Sequence, residues 1–170
     1  MSEQVSQVRA ALQVLRPHQW SKNALLFLPL LLAPGAPSVD LLLRALLAFA
    51  VFSLCASAGY VFNDMLDLEA DRLNPAKTGR PFAAGALPVR VGPFLVVVLL
   101  LLAFVPSLLW LGPAFTTALT AYLFGTLLYS VYLKRLLLVD VLVLAGFYTH
   151  RILVGGVAVE VRISPWLLAF

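Results

Sequence analysis

The side chains best equipped for chemistry lie in one stretch, Asn63-Asp64-Met65-Leu66-Asp67-Leu68-Glu69-Ala70-Asp71. If this stretch continues as a helix at about 100° per residue, Asn63, Asp67, Asp71 and Asp64 share one face and Glu69 points away from them. Carboxylates gathered on one face repel unless something positive lies between them. Hard cations take oxygen ligands, and Mg²⁺ typically combines one or two carboxylates with substrate phosphates. Asn63, Asp64, Asp67 and Asp71 therefore read as a metal clamp for a diphosphate, with Glu69 solvated and outside it. The plainer reading, a hydrated helix end with scattered acids, is disfavoured by three acids on one face at a membrane boundary. Just downstream, Lys77 and Arg80 could supply charge to phosphate oxygens left unpaired by a metal. Ordinary loop charges on the cytoplasmic side of a membrane would account for those two nearly as well.

The elements that position these groups are apolar. Of 170 residues, 62% are hydrophobic and only 12% charged, against about 25% charged in soluble domains. Too little polar surface is available to cover a soluble globule. A soluble enzyme, a disordered tail and a nucleic-acid-binding domain are excluded, and a bilayer protein remains. The one cysteine, Cys55, sits in the apolar run Ala45–Phe62, so an internal disulfide or a cysteine-based metal site is impossible. It reads as a small packing residue.

A hydrocarbon core about 30 Å thick needs roughly 20 helical residues. No charge occurs between Arg90 and Lys134, and Gly112-Pro113 divides that stretch into Val91–Leu111 and Ala114–Leu133, each long enough to span. Ala45–Phe62, extended back to Leu41, is another span, and Val139–Val159 is another that contains His150 and Arg151. Ala24–Ala33 is shorter. It resembles a signal-peptide core, but the spans that follow favour a first span lengthened by its flanks. The expected architecture is all-α: a polytopic bundle of five spans, with Ile163–Phe170 beginning a sixth. Upstream, residues 1–23 form an amphipathic surface helix and a polar lead-in, with Val5, Val8, Leu12 and Leu15 at helical spacing. Residues 24–170 form the transmembrane domain. Alternation of the spans puts nine of the twelve basic residues on one side, which makes that side cytoplasmic. The N-terminus and the polar segment 63–90 are on it, where phosphorylated substrates are found.

Asn63–Asp71 fits the pattern N-D-x-x-D-x-x-x-D and, with Arg72, Pro75, Lys77, Arg80 and Pro81, resembles the UbiA-type intramembrane prenyltransferase superfamily. Arg16-Pro17-His18-Gln19-Trp20-Ser21-Lys22-Asn23 is similar to the opening of its decaprenyl-phosphate phosphoribosyltransferase branch. Tyr129–Arg135, Arg151, Gly155-Gly156 and Ser164-Pro165-Trp166 are similar to that branch and to its haloacid-dehalogenase-fused relatives. The resemblance covers nearly the whole chain. It implies the N-terminal part of a nine-helix bundle in two related halves, with a cavity open to the cytoplasm and sideways to lipid. It also implies Mg²⁺ on Asn63, Asp64, Asp67 and Asp71, and phosphate contacts from Lys22, Lys77, Arg80 and Lys134. The implied reaction is transfer from phosphoribosyl diphosphate to a polyprenyl phosphate, with diphosphate leaving. Leaving-group charge must then be neutralised and water excluded, whereas no strong protein nucleophile is needed.

Arg151 is costly inside a span. It reads as a substrate-phosphate or structural residue rather than a snorkelling one. Asp140 shares its face but lies about 16 Å away along the helix and reads as a cap for that helix. His150 reads as a neutral packing histidine, Tyr129 and Tyr132 as interfacial or site-lining residues, and Gly155-Gly156 as a close-packing site. Two alternatives stay open. One is prenyl transfer from a polyprenyl diphosphate to an aromatic or other lipophilic acceptor, which would use the same acidic face. The other is an inactive truncated membrane module. The D-G-x-x-A-R pattern of CDP-alcohol phosphotransferases is absent, since Met65 follows Asp64.

Overall fold

Residues 39–66 combine a capped start with a long run of small and apolar side chains, and they form the central helix of the bundle. The computed structural model describes residues 2–161 and 163, with side chains from residue 8 onward. The sixth apolar helix expected from Ile163, together with Arg162 and Ser164-Pro165-Trp166, lies outside the described residues. So does the side chain of Val5. The described helices are α1 (Ser2–Val14), α2 (Leu28–Leu32), α3 (Val39–Leu66), α4 (Leu68–Leu73), α5 (Gly92–Pro106), α6 (Gly112–Val131) and α7 (Val139–Val159). Among the described residues every regular element is helical.

In α3 the Ser38 hydroxyl accepts from the Leu41 amide at 3.3 Å, and Asp40 occupies the first turn. Both favour a helix start. Ala45, Ala48, Ser53, Ala56, Ser57 and Ala58 are buried along it. Such small residues let neighbouring helices approach closely, and α3 packs against α5, α6, α7 and the Pro17–Phe27 segment.

Three helical stretches are long and apolar enough to cross a membrane: Val39–Leu66, Val89–Val131 and Val139–Val159. The middle one, 43 residues, would measure about 65 Å if straight, roughly twice a bilayer core. It is folded in two. Ser107 Oγ and Thr116 Oγ1 are 2.7 Å apart, whereas nine residues of straight helix would separate them by about 13 Å. The reversal occurs at Gly112, whose φ of 84° and ψ of 175° place it in a region open almost only to glycine. Five π-helical residues, Ser107–Leu111, lead into that turn. The Gly112-Pro113 division expected from sequence is the hairpin tip.

The first expected span differs from the expectation. Pro17–Phe27 is a 3₁₀ helix, continued by the five-residue α2. A 3₁₀ helix has three residues per turn, so side chains at i and i+3 line up. That period sets Trp20, Asn23 and Leu26 in one row. Trp20 Nε1 donates to Ser57 Oγ at 3.0 Å and Asn23 Nδ2 to Ser53 Oγ at 2.9 Å, while Leu26 packs against Gly155 of α7. An α-helical period of 3.6 would have rotated part of this row away from α3. Three tertiary anchors at a spacing of three outweigh the poorer hydrogen-bond geometry of so long a 3₁₀ run.

The helices alternate in direction. At one end Met65 of α3 lies against Gly92, the start of α5, and Lys134 beyond α6 reaches Asp67. At the other end Arg44, near the start of α3, pairs with Glu160, just past α7, at 2.8 Å. Helix α1 lies across the acidic end. Ala10 and Val14 are buried against a cluster containing Ala58, Val61, Phe82 and Leu87, while Val8 and Leu12 remain exposed.

Candidate active site

The acidic stretch is not one uninterrupted helical face. α3 ends at Leu66, Asp67 adopts φ −92° and ψ 8°, and α4 begins at Leu68. The backbone still links Asn63 O to Asp67 N at 2.9 Å and Asp67 O to Asp71 N at 2.8 Å. The side chains separate into two groups. Asp64 and Asp71 turn inward and are almost fully buried, while Asn63 and Asp67 turn toward Lys134. Glu69 is exposed, as expected for the acid outside the cluster.

Each carboxylate is met by cations of the chain itself. Asp64 Oδ1 accepts from Arg16 Nη2 at 2.5 Å and from Arg80 Nη1 at 3.1 Å. The same Arg80 nitrogen donates to Asp71 Oδ2 at 2.6 Å. Lys134 Nζ sits 2.6 Å from both oxygens of Asp67 and donates to Asn63 Oδ1 at 3.0 Å. Asn63 Nδ2 donates to Asp67 Oδ2 at 3.0 Å. Lys77 Nζ approaches Asp71 Oδ1 only to 3.6 Å. That is an ion-pair distance rather than a hydrogen bond, and Asp71 Oδ1 is a buried oxygen without a hydrogen-bond partner.

Three carboxylates thus face four cations: Arg16, Lys77, Arg80 and Lys134. The expectation that repulsion must be relieved by a metal needs amending, because the cluster is already compensated and has a small excess of positive charge. The excess suits a polyanion. The donor atoms are all hard oxygens, the kind Mg²⁺ prefers, and Asp71 Oδ1 keeps an unfilled lone pair. Among the described residues no three acidic, histidine or cysteine side chains converge closely enough to hold a metal by themselves. A cation there would need ligands beyond these side chains, and Mg²⁺ characteristically completes its shell with water or phosphate oxygens.

The sequence marks Arg16 only as part of a basic flank and of the octapeptide Arg16–Asn23. The structure makes it a central site residue. It adopts a left-handed backbone conformation, φ 52° and ψ 57°, uncommon for a side chain with Cβ and costing about 1 kcal/mol or more. That conformation starts the 3₁₀ helix and aims the guanidinium at Asp64, 48 residues away, with the Tyr60 ring 5.3 Å from its Cζ. The only sequence signal was the basic residue immediately before Pro17.

Two cavities adjoin at Arg16 and Gln19. One, of about 750 Å³, lies between α1, residues 16–19 and residues 76–81, and exposes Arg9, Arg16, Arg80 and Asp64. The other, about 350 Å³, lies inside the bundle among Lys22, Tyr60, Tyr122, Tyr129, Tyr148 and Arg151. Lys22 and Arg151 are therefore not brought to the carboxylates. They belong to the second cavity, with Lys22 exposed at its rim and Arg151 buried.

Arg151 Nε donates to Asn23 Oδ1 at 2.8 Å and Nη1 to the Phe147 carbonyl at 2.7 Å. The absence of a pair with Asp140 agrees with their separation on α7. Asp140 does not cap that helix, since Leu138 occupies the cap position and the Asp140 carboxylate accepts from Tyr129 Oη at 2.6 Å. That bond gives Tyr129 a definite partner. His150 Nε2 lies 3.0 Å from the Ala118 carbonyl, so it carries the proton there, as a packing histidine would. A Cβ at Gly155 would strike the Leu26 carbonyl, which accounts for the glycine by close packing.

The profile of the UbiA prenyltransferase family matches residues 24–170. An uncharacterized protein of Sinorhizobium fredii is 41% identical over 163 residues, covering 96% of this chain and 31% of the relative. A decaprenyl-phosphate phosphoribosyltransferase of Mycobacterium tuberculosis is 36% identical over 165 residues, covering 95% of this chain and 54% of the relative. One of Corynebacterium glutamicum is 36% identical over 161 residues, covering 92% and 48%. The chain thus spans between about a third and about half the length of these relatives.

Proposed function

Because this chain belongs to the UbiA prenyltransferase family, we propose that it supplies the diphosphate-binding side of an integral-membrane transferase. The reaction we infer is 5-phosphoribosyl transfer from phosphoribosyl diphosphate to a polyprenyl phosphate. The observation that carries the diphosphate assignment is the interleaving of Asp64, Asp67 and Asp71 with Arg16, Arg80, Lys77 and Lys134 at the mouth of the bundle. The choice of donor and acceptor rests on the similarity to relatives named decaprenyl-phosphate phosphoribosyltransferase.

A phosphate oxygen of the lipid attacks the anomeric carbon, one C–O bond forms, and the bond to diphosphate breaks with its electron pair on the leaving group. An ionised phosphate carries no proton on the attacking oxygen, so the chain need not provide a base or nucleophile. Its work is electrostatic. Arg80 and Lys77 face the leaving diphosphate, and Lys134 holds Asp67 and Asn63 in place. Asn63, Asp64, Asp67 and Asp71 would hold Mg²⁺, which when bound neutralises charge on the departing phosphates. The surrounding helices exclude water from the carbon centre.

The reading puts the chain in the cytoplasmic membrane with the acidic end inward, an orientation supported by the basic residues at that end. The five-span reading counts Ala24–Ala33, lengthened by its flanks, as the first span and treats the chain as part of a nine-helix bundle. A second reading, prenyl transfer from a polyprenyl diphosphate, is favoured by the family description itself and uses the same cluster.

The test supplies the intact protein with labelled phosphoribosyl diphosphate and polyprenyl phosphate, with and without Mg²⁺. Metal-dependent labelling of the lipid is expected, with Asp67→Ala reducing it at least about a hundredfold, the scale of losing a main electrostatic contact. Prenyl transfer without phosphoribosyl transfer would reverse the order of the two readings. Undiminished activity in Asp67→Ala would sink the metal clamp.

A further inference from the structure

Arg16 is held in its left-handed conformation from both sides. Its amide donates to the Gln13 carbonyl at 3.1 Å, and its own carbonyl accepts from the Gln19 amide at 2.8 Å. The preceding carbonyl, of Leu15, accepts from Ser57 Oγ at 2.8 Å, and the same hydroxyl accepts from Trp20 Nε1 at 3.0 Å. Strain of this kind persists only where the surroundings over-determine it. The Arg16 backbone is therefore a fixed post against α3, and the part free to move is the side chain. Its guanidinium stands where the cavities of about 750 Å³ and 350 Å³ meet, since Arg16 lines both.

The guanidinium touches one particular oxygen. A carboxylate oxygen offers about two lone-pair sites, and at Asp64 Oδ1 both are taken, by Arg16 Nη2 at 2.5 Å and by Arg80 Nη1 at 3.1 Å. Asp71 differs. Its Oδ2 accepts from Arg80, while its Oδ1 is buried without a hydrogen-bond partner. A divalent cation can meet Asp71 Oδ1 as the cluster stands, but it can meet Asp64 Oδ1 only after a guanidinium has left. Arg80 is shared between two carboxylates, whereas Arg16 is held by one and has a cavity on either side. Arg16 is thus the cation released at lower cost. A guanidinium leaving a carboxylate needs another anion, and a phosphate takes its planar fork in two parallel bonds.

We propose that Arg16 is a built-in counter-ion, a latch that closes Asp64 to metal until a diphosphate draws the guanidinium away. Metal and diphosphate then load together, because one positive charge leaves Asp64 for the phosphates as another arrives. Between turnovers the same contact keeps a nearly buried carboxylate paired, where an unpaired one would be costly. The latch rests on the metal-and-diphosphate reading of this cluster and is indifferent to the group that the diphosphate carries.

Manganese shares the preference of magnesium for oxygen ligands, and its binding is read by electron paramagnetic resonance. It is titrated into the intact detergent-solubilised protein without and with inorganic diphosphate, and diphosphate binding is measured separately without metal. Two variants remove the guanidinium: Arg16→Gln, and Arg16→Gly, which suits the left-handed backbone and serves if Arg16→Gln does not fold. Arg9→Gln is the control, since exposed Arg9 lines the same cavity but the ion partners of Asp64 are Arg16 and Arg80. Each Arg16 variant is expected to bind manganese alone at least about fivefold more tightly than the parent, through loss of an adjacent like charge. Each should bind diphosphate alone at least about fivefold more weakly, through loss of a charge-assisted contact. The gain in manganese affinity on adding diphosphate should shrink at least about fivefold in them, because the substitution has already done what the anion does. Arg9→Gln, removing a solvent-screened charge, should shift manganese affinity less than about twofold. Unchanged or weaker manganese binding in the Arg16 variants overturns the latch and would mean that Arg16 only holds Asp64 in place. Equal tightening in Arg9→Gln overturns it as a general charge effect, and unchanged diphosphate affinity overturns the exchange. Each of these results leaves the metal clamp standing. Absence of manganese binding in every protein, with and without diphosphate, defeats the clamp and the latch together. The expected shifts without phosphoribosyl transfer support the latch and defeat the donor assignment alone.

Discussion

Asp67 and Asp71 carry the same charge four residues apart, yet their surroundings give them different energetic weight. The Asp71 side chain is 2% exposed and depends on Arg80, whereas the Asp67 side chain is 26% exposed and has water as well as Lys134. Removing one partner of a buried pair leaves an uncompensated charge, at about 3–5 kcal/mol, while a solvent-accessible pair is worth about 1 kcal/mol or less. Arg80→Gln should therefore lower the thermal midpoint clearly more than Lys134→Gln, and Asp71→Asn added to Arg80→Gln should recover part of the loss. Melting curves of the four proteins in detergent decide this; equal shifts for the two single variants would contradict the burial difference. At this scale the sequence shows Asn63, Asp64, Asp67 and Asp71 as oxygen donors gathered at helical spacing in a charge-poor chain, but not their division into an Arg80-facing pair and a Lys134-facing pair, which depends on the break at Asp67. Nor does it show the place of Arg16, because its partner Asp64 is 48 residues away and no local period joins them.

The elements show where local pattern stops being sufficient. Hydropathy and Gly112-Pro113 located α3, α5, α6 and α7, since a span needs only length and composition. The 3₁₀ period of segment 17–27 is not legible in the sequence, because it is imposed by Ser57, Ser53 and Gly155, residues that follow it in the chain and come together only on folding. The Leu26–Gly155 approach makes this contact testable. A Cβ at Gly155 would strike the Leu26 backbone, whereas one at Gly146, on the same helix, meets nothing within 4 Å. Gly155→Ala should destabilise by about 1–3 kcal/mol through overpacking. Gly146→Ala should be neutral or gain up to about 1 kcal/mol from helix propensity. Thermal denaturation of the two variants separates them, and a neutral Gly155→Ala would mean that the 3₁₀ helix can move off α7.

Over the whole molecule, the large exposed side chains of α5, the π-helical turn and α6, such as Leu101, Leu102, Leu109, Trp110 and Phe124, form a surface far too apolar for water and ordinary for lipid. The two ends of the bundle differ in charge. Arg9, Arg16, Arg72, Lys77, Arg80, Arg90, Lys134 and Arg135 gather at the end that carries the carboxylates, while Arg44, paired with Glu160, stands at the other. A bias this strong predicts that the basic end faces the cytoplasm, and the chain offers a clean way to measure it. Its single thiol, Cys55, is buried, so a membrane-impermeant maleimide should leave the parent protein unlabelled. Thr78 and Ala36 are both exposed and lie on either side of α3, whose length of about 42 Å exceeds the bilayer core. Thr78→Cys should react in inside-out vesicles and not in intact cells, and Ala36→Cys should do the reverse. Labelling of both from one side would mean that α3 does not span, and labelling with the sides exchanged would put the carboxylate–cation cluster away from the compartment that holds phosphorylated sugars. The exchanged result would remove the diphosphate donor from reach of the residues proposed to bind it, whatever the geometry of the cluster.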